Sequence, residues 1–459
     1  MVIENLSQTS VISALKKQVD MIESKRINER YTMINYYEGM ASEMMGDIKE
    51  YFNSDSLKQV PHLTQNITGK LVNSRAIVYK EAPQREVDER LFEFTNTLDS
   101  SMLQFERMTY LLGTCGMLVK WDEESENDKL NYDMLIEFYP LFFETDSKPV
   151  AVIYPLFNHE KTKVTESTYA YWSDEEHYLI TQGGGKVSVN DDDSNPFGKI
   201  PIVFAHRHPM TTEWWREGAS DIVTMNQTIN VMLTEMSLSM RLQMLGQPVI
   251  TGVDEETRLA MGVDKPILLP EGSGFSFASA GGDLQKYVEG MRFLVDSVAY
   301  NNNLKTKWSQ GRDAAISGEA LKLMEIDLTE SVMADAEHIW RPVENERFEI
   351  ERAILEANGV TLSEEYSVDF SEPRFPLSAS EERLQWDWEF DHGFKTKKDY
   401  IRHTNPDASE EQIEEILSQI SEQRKVEKEE EAPEQQEQQA PLFNLRTLTN
   451  GSKVSRQVS

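Results

Sequence analysis

Several short stretches of this sequence carry residue types that could do chemistry, and most of them fail on spacing. "GGGK" at 183–186 suggests a phosphate-binding loop. Ile180 stands where that loop needs its first glycine, and Val187 where it needs a metal-binding hydroxyl, so a glycine-rich hairpin is the better reading. "DDDSN" at 191–195 begins like a calcium loop, but Pro196 takes the place of the sharp-turn glycine and Ile202 that of the bidentate glutamate. His206 and His208 alternate on one face of a predicted strand, with no third ligand near them in sequence. Cys115, the single cysteine, lies in the apolar run "LLGTCGML" and reads as a small buried residue. The many carboxylates show no pairing by which an acid and a base could be chosen. The residues point away from an enzyme, and no cofactor or metal is expected.

What remains is a group of cations. In "NLKTKWSQGRDAAISGEALKLM" (303–324), Lys305, Lys307 and Arg312 surround Trp308, Ser309 and Gln310 between two helical patterns. The rest of the chain has the opposite character. Its 459 residues hold 46 basic and 79 acidic side chains, a formal charge of −33. Such a balance repels nucleic acid at long range and disfavours an anionic lipid surface. One cysteine permits no intrachain disulfide. The first residues, "MVIENLSQTS", lack the runs of a signal peptide, and no apolar run is long enough to span a bilayer, so no membrane partner is expected.

The elements that must position the cations follow from periodicity. Residues 8–52, "NITGKLVNSRAIVYKEAP" up to Pro83, and 87–116 carry helical patterns. From Met117 to His208, β-rich runs separated by Asp, Gly and Asn predict a mixed or antiparallel sheet region. A long helix is expected over 218–245, with Ile222, Met225, Ile229, Met232, Met236 and Met240 on one stripe. Methionine there is chiefly packing, because it fills irregular gaps. Short strands follow in 246–282. A second helix begins after the cap Asp283 and carries Tyr287, Met291 and Val295. Beyond the cation-bearing stretch, Ser317 could cap a helix running to Ala357, kinked where Pro342 removes a donor. Residues 376–425 read as a separate helical unit, with capping boxes at Ser378/Glu381 and Ser409/Gln412. The acidic, glutamine-rich segment after Glu427 reads as disordered. The basic last residues, with Arg446, Lys453 and Arg456, read as a frayed tail.

The order of these parts resembles the portal proteins of long-tailed bacteriophages. The likeness covers nearly the whole chain and rests on "YYEG" (36–39), "NPFGKIPIV" (195–203) and "ISGEALK" (316–322), together with the order helix, insert, helix, loop and long helix. It implies an α+β portal fold with a mixed β-sheet wing (1–217), stem helices (218–245 and 283–302), a β clip (246–282), a tunnel loop (303–316), a long kinked helix and following strand (317–375), a helical crown (376–425) and a disordered tail (426–459). It also implies a ring of about twelve copies at a capsid vertex, assembled in the host cytoplasm, through which double-stranded DNA is packaged and ejected. The partners it implies are the terminase large subunit, a head–tail adaptor, the major capsid protein and a scaffolding protein. Lys305, Lys307, Trp308, Ser309, Gln310 and Arg312 would then face DNA. The alternatives are another ring-forming phage structural or adaptor protein without a DNA channel, or a metal-dependent nucleic-acid enzyme.

Overall fold

The computed structural model describes residues 2–20, 22–52, 63–125, 129–156, 168–181, 183–209, 213–245, 247–252, 271–278, 283–305, 325–371, 379–405 and 412–420. Contacts divide the chain into two units, Met1–Pro376 and Leu377–Ser459. The first unit is α+β.

It opens with helices α1 (Gln8–Asp20), α2 (Ile22–Glu38), α3 (Ala41–Tyr51) and α4 (Ile67–Arg75). The predicted continuation of α4 to Pro83 does not occur. The N–H groups of Val78 and Tyr79 donate instead to the buried carboxylate of Glu106, at 2.9 and 3.1 Å, and this holds the chain out of the helix. Strand β1 (Gln84–Glu86) follows, then a 3₁₀ turn over Glu89–Glu93 whose first residues are capped by Asp88. The helical pattern expected from residue 87 therefore yields α5 only over Leu98–Leu112. The carbonyl of Phe94 turns away from helical bonding to accept from Leu130 N at 3.0 Å.

The β-rich region forms two sheets. Strands β2 (Thr114–Trp121) and β3 (Leu130–Leu135) make one with β9 (Ile202–His206), in the order β3-β2-β9. Between them the chain lays down β4 (Tyr139–Leu141), β5 (Ala151–Leu156), β6 (Thr168–Ser173), β7 (His177–Thr181) and β8 (Lys186–Ser188) as a meander. Every named ladder here is antiparallel, which corrects the mixed sheet expected from the resemblance. Short connections allow this between consecutive strands, whereas β9 returns antiparallel to β2 only after the whole meander. The one parallel pairing among the described residues is a bridge, Val2 to Phe142. "GGGK" closes the β7–β8 hairpin, with Gly184 at φ +85°.

Two glycines set how the next element leaves this body. A side chain on Gly113 would meet the carbonyl oxygen of Arg216 at 2.2 Å, and one on Gly218 that of Leu111 at 2.1 Å. The backbones touch there, and Ala219 N donates to Leu111 O at 2.8 Å. Helix α6 (Ser220–Leu245) starts from this junction, followed by the antiparallel strands β10 (Gln247–Thr251) and β11 (Gly274–Ala278) and by helix α7 (Leu284–Asn301).

The long helix after the cation-bearing stretch is described from Ile326. It comprises α8 (Ile326–Asp335), a π-helical turn over Ala336–Trp340, and α9 (Arg341–Ala357). Pro342 has no N–H to give and its ring crowds the carbonyl four residues back. The turn before it widens, so that Arg341 N reaches Ala336 O, five residues back. The strain expected at Pro342 is absorbed as a π turn within a continuous helix. Strand β12 (Ser367–Asp369) then pairs with β1.

The buried face of α9 carries charge. Glu344, Arg347 and Glu351 are all fully buried. The Arg347 guanidinium donates to Glu344 Oε2 at 2.7 Å, to Glu351, and to the hydroxyl of Tyr366 at 2.9 Å. Arg85 on β1 adds a bond to Glu344 Oε1 at 2.8 Å, and Tyr132 on β3 donates to Glu351 Oε1 at 2.5 Å. Burial works against the charge on Glu344, but Arg347 and Arg85 override it and hold the carboxyl down at about 2.

The second unit contains α10 (Ala379–Asp391), α11 (Lys397–Thr404) and helical residues 412–420. Its capping box is Thr396 with Asp399. Ser378 and Ser409, the caps expected from sequence, lie outside the described residues, as does everything after residue 420.

Replacing Arg347 by Met would leave buried Glu351 without its cation and Glu344 with Arg85 alone. We expect a loss of about 3–5 kcal/mol in a urea melt, the range for breaking one side of a buried ion pair. Because the carboxyl of Glu344 is lowered on folding, the stability it contributes is present above its unfolded value of 4.5. It is lost as pH falls toward 2. The acid limb of the wild-type stability curve should therefore flatten in Glu344→Gln, and an unchanged limb would contradict the network.

Candidate functional site

Helix α6 has 26 residues and is about 39 Å long. It runs antiparallel to α7: Tyr287 donates its hydroxyl to Glu235, and at the other end Asn302 Nδ2 donates to Asp221 Oδ2 at 2.9 Å. Buried Ile222, Met225 and Ile229 meet Met291 and Val295, while Met232, Met236 and Tyr287 pack at the margin of the same core. The stripe grows more exposed away from the body, and Met240 is 43% exposed in the single chain. The β10–β11 hairpin follows α6 directly at that far end.

The helix pair is fastened to the body by buried amides. Asn226 Oδ1 accepts from Ile67 N and Thr68 N, each at 2.9 Å, so α6 caps the start of α4. Asn230 Oδ1 accepts from Gln65 N at 2.9 Å. Asn302, buried at the end of α7, does more. Its Oδ1 accepts from Arg207 at 2.7 Å and from the hydroxyl of Tyr110, and its Nδ2 also donates to Val298 O at 2.9 Å. The Arg207 guanidinium lies over the Tyr110 ring at 4.1 Å, and Arg75 faces the same ring at 5.4 Å. Arg75 in turn pairs with Asp335 of α8 at 2.7 Å. One polar cluster thus fixes the chain on both sides of the cation-bearing stretch. Asn303 takes a left-handed turn at φ +56°, and Leu304 is buried immediately after it.

Of the residues expected to face DNA, Lys305 is described: it lies 3.9 Å from Asp327, with its side chain 38% exposed. Lys307, Trp308, Ser309, Gln310 and Arg312 lie outside the described residues. Two other chemical candidates, Cys115 and His206, lie on the neighbouring strands β2 and β9. Cys115 is fully buried, and burial pushes its thiol up to about 11. His206 bonds Thr114 Oγ1 at 3.1 Å and, through burial and then the charge of Arg216, is pulled down to about 4, which keeps it neutral. No group of three or more His, Cys, Asp or Glu suited to a metal occurs among the described residues. None of their helices is long and apolar enough to cross a membrane.

Sequence reasoning missed the anchoring residues. Asn302 stood in "NNN" at a helix end, and asparagine at that position is a signal for a polar cap. Glu344, Arg347 and Glu351 recur at spacings of three and four on the helix face shared with Val343, Ile350 and Ile354. Charge on an apolar stripe marks a buried network.

No family model and no curated protein matches this sequence. Among solved structures, it is similar to a chain in the neck of an empty gene transfer agent particle computed with C6 symmetry. That chain is 13% identical, the match covers 74% of this chain and 89% of that one, and the TM-score is 0.37. A chain in the virion of the native particle is 14% identical over 76% of this chain and 92% of that one, with TM-score 0.38. A chain in the native neck computed with C12 symmetry is 12% identical over 72% and 87%, with TM-score 0.40. Likeness at this level is too partial to establish a common fold.

Asn302→Ala would take one partner each from Arg207, Tyr110 and Asp221, leaving Arg207 and Tyr110 bonded to each other at 3.0 Å. We expect about 1–3 kcal/mol of destabilisation. Hydrogen exchange should rise first at the end of α7, and an unchanged exchange profile there would contradict the anchoring role.

Proposed function

We propose that the chain is a portal-type subunit: a structural protein, not an enzyme, that forms a ring at a capsid vertex and passes double-stranded DNA. The observation that carries this reading is the antiparallel pair α6/α7, with the antiparallel strands β10 and β11 between its members at one end and an α+β body at the other. The cation-bearing stretch is tied into that body on both sides through Asn302 and Asp335. This is the order of parts on which the sequence resemblance rests.

The charge balance supports the same reading physically. Phosphate contacts dominate affinity for DNA, and each one adds to holding. A channel needs its cargo to slide, so it gains from an acidic chain with few cations at one level. Lys305, Lys307 and Arg312 are those cations in this reading, with Trp308, Ser309 and Gln310 beside them. The hairpin would meet the packaging motor, a terminase large subunit, and later a head–tail adaptor. The body would meet the major capsid protein and, during assembly, the scaffolding protein.

The test is a triple substitution of Lys305, Lys307 and Arg312 by Gln in assembled particles. Rings should form as before, while the DNA packaged or retained per particle falls. Unchanged packaging with intact rings would remove the functional content of the cation assignment.

A further inference from the structure

Helix α7 buries Met291, Val295 and Ala299 on one side. Its other side carries Phe293 and Tyr300, exposed by 71% and 74%. They lie two turns apart, about 10 Å along the helix, and form an aromatic ridge pointing away from α6. Two large aromatics exposed on one helix face offer apolar surface that a complementary groove could cover. Arg292 stands exposed beside Phe293. Of the acids nearby on this helix, Glu289 already accepts from Gln285 at 3.1 Å, and Asp296 is also engaged.

A second surface, sharing no residue with the ridge, lies between α3 and α6. It is a groove of about 490 Å³ whose apolar lining includes Ile48, Tyr51, Val231 and Met232. Its polar lining includes the carboxylates of Asp47, Glu50 and Glu235. Asp47 accepts from Tyr36 and Gln227, and Glu235 from Tyr287, while Glu50 is exposed.

The two surfaces stand at the same height. The bonds Tyr287–Glu235 and Asn302–Asp221 set the register of the antiparallel pair, and this register places Phe293 level with Ile229. The groove takes its α6 residues from Gln227 to Glu235, so Phe293 falls within that span. A rotation about an axis parallel to the helices keeps every residue at its own height. A neighbour related by such a rotation brings ridge and groove together without any shift along the axis.

We infer that copies of this chain meet head to tail, with Phe293 of one seated in the α3–α6 groove of the next and Arg292 facing the acidic rim at Glu50. A contact between two different surfaces is heterologous, and when its rotation closes it makes a ring. The inference rests on the ring reading above and adds which faces meet and which residues specify them.

The experiment uses the full chain with Phe293→Cys and Glu50→Cys, oxidised in the ring fraction and run on a denaturing, non-reducing gel. The one natural cysteine, Cys115, is buried. The double variant should give a ladder of three and more linked copies, and neither single variant should. Dimers from Phe293→Cys alone would mean a twofold contact and overturn the inference. Rings without a ladder would overturn it while leaving the ring reading intact, and absence of rings at every concentration would remove both. As a second arm, Arg292→Glu should raise the concentration needed for assembly by at least about tenfold, since juxtaposed like charges cost more than the ~1.4 kcal/mol that tenfold represents. Adding Glu50→Arg should restore it. Failure of that restoration, with both single variants folded, would contradict the facing of Arg292 and Glu50.

Discussion

Arg347 sits fully buried between Glu344 and Glu351, and the packing of the first unit is arranged around keeping those three charges satisfied. Two carboxylates with one guanidinium would leave a net negative charge in the core. Arg85 supplies the missing cation from β1, and its second nitrogen reaches Asp99 at the start of α5. Tyr132 and Tyr366 fill the remaining acceptor and donor positions from β3 and from the segment before β12. A group this polar is tolerable only when complete, because each missing partner leaves an uncompensated charge in a low-dielectric interior. Helix α9 is thereby fixed in register against elements drawn from distant parts of the chain.

That rigidity matters because α9 continues through the π turn from α8, and α8 carries Asp335. The ion pair from Asp335 to Arg75 leads to the Tyr110 ring, then to Arg207 and Asn302. Beside this cluster, where Arg207 N donates to Gly113 O at 2.7 Å, Gly113 and Gly218 bring backbones into contact as α6 departs, and Asn226 and Asn230 tie α6 to the start of α4. The helix pair is therefore held at its base by amides and guanidinium groups, and along its length by aliphatic packing that thins toward the hairpin.

Much of this was legible in the sequence where one periodicity dominated. The stripe from Ile222 to Met240 and the cap at Asp283 marked α6 and α7 almost to the residue. The β-rich runs marked strands, but the division into two sheets was not readable, because alternation reports which face is buried and not which strand lies alongside. The end of α4 was missed for a different reason. The helix was continued to Pro83 as the first clear breaker, although Ile77, Val78 and Tyr79 favour extended chain, and a carboxylate distant in sequence, Glu106, takes the N–H groups of Val78 and Tyr79. At Pro342 the missing donor and the crowded ring led to the expectation of a kink, and sequence alone could not say that the turn before it would be π-helical. The anchoring asparagines were overlooked because a polar residue on a helix reads as solvated until its partners are known. The cation-bearing stretch was conspicuous by contrast with its surroundings, and Lys305 is the one of its cations among the described residues.

In the proposed reading the chain is one of several copies around an axis, with the aromatic ridge of one copy level with the groove of the next. The central claim is that closed ring. Electron microscopy of the purified full-length chain, viewed along the particle axis, tests it most directly. The account predicts a ring of about twelve copies around an open central channel. A monomer or a closed twofold dimer at all protein and salt concentrations would contradict it.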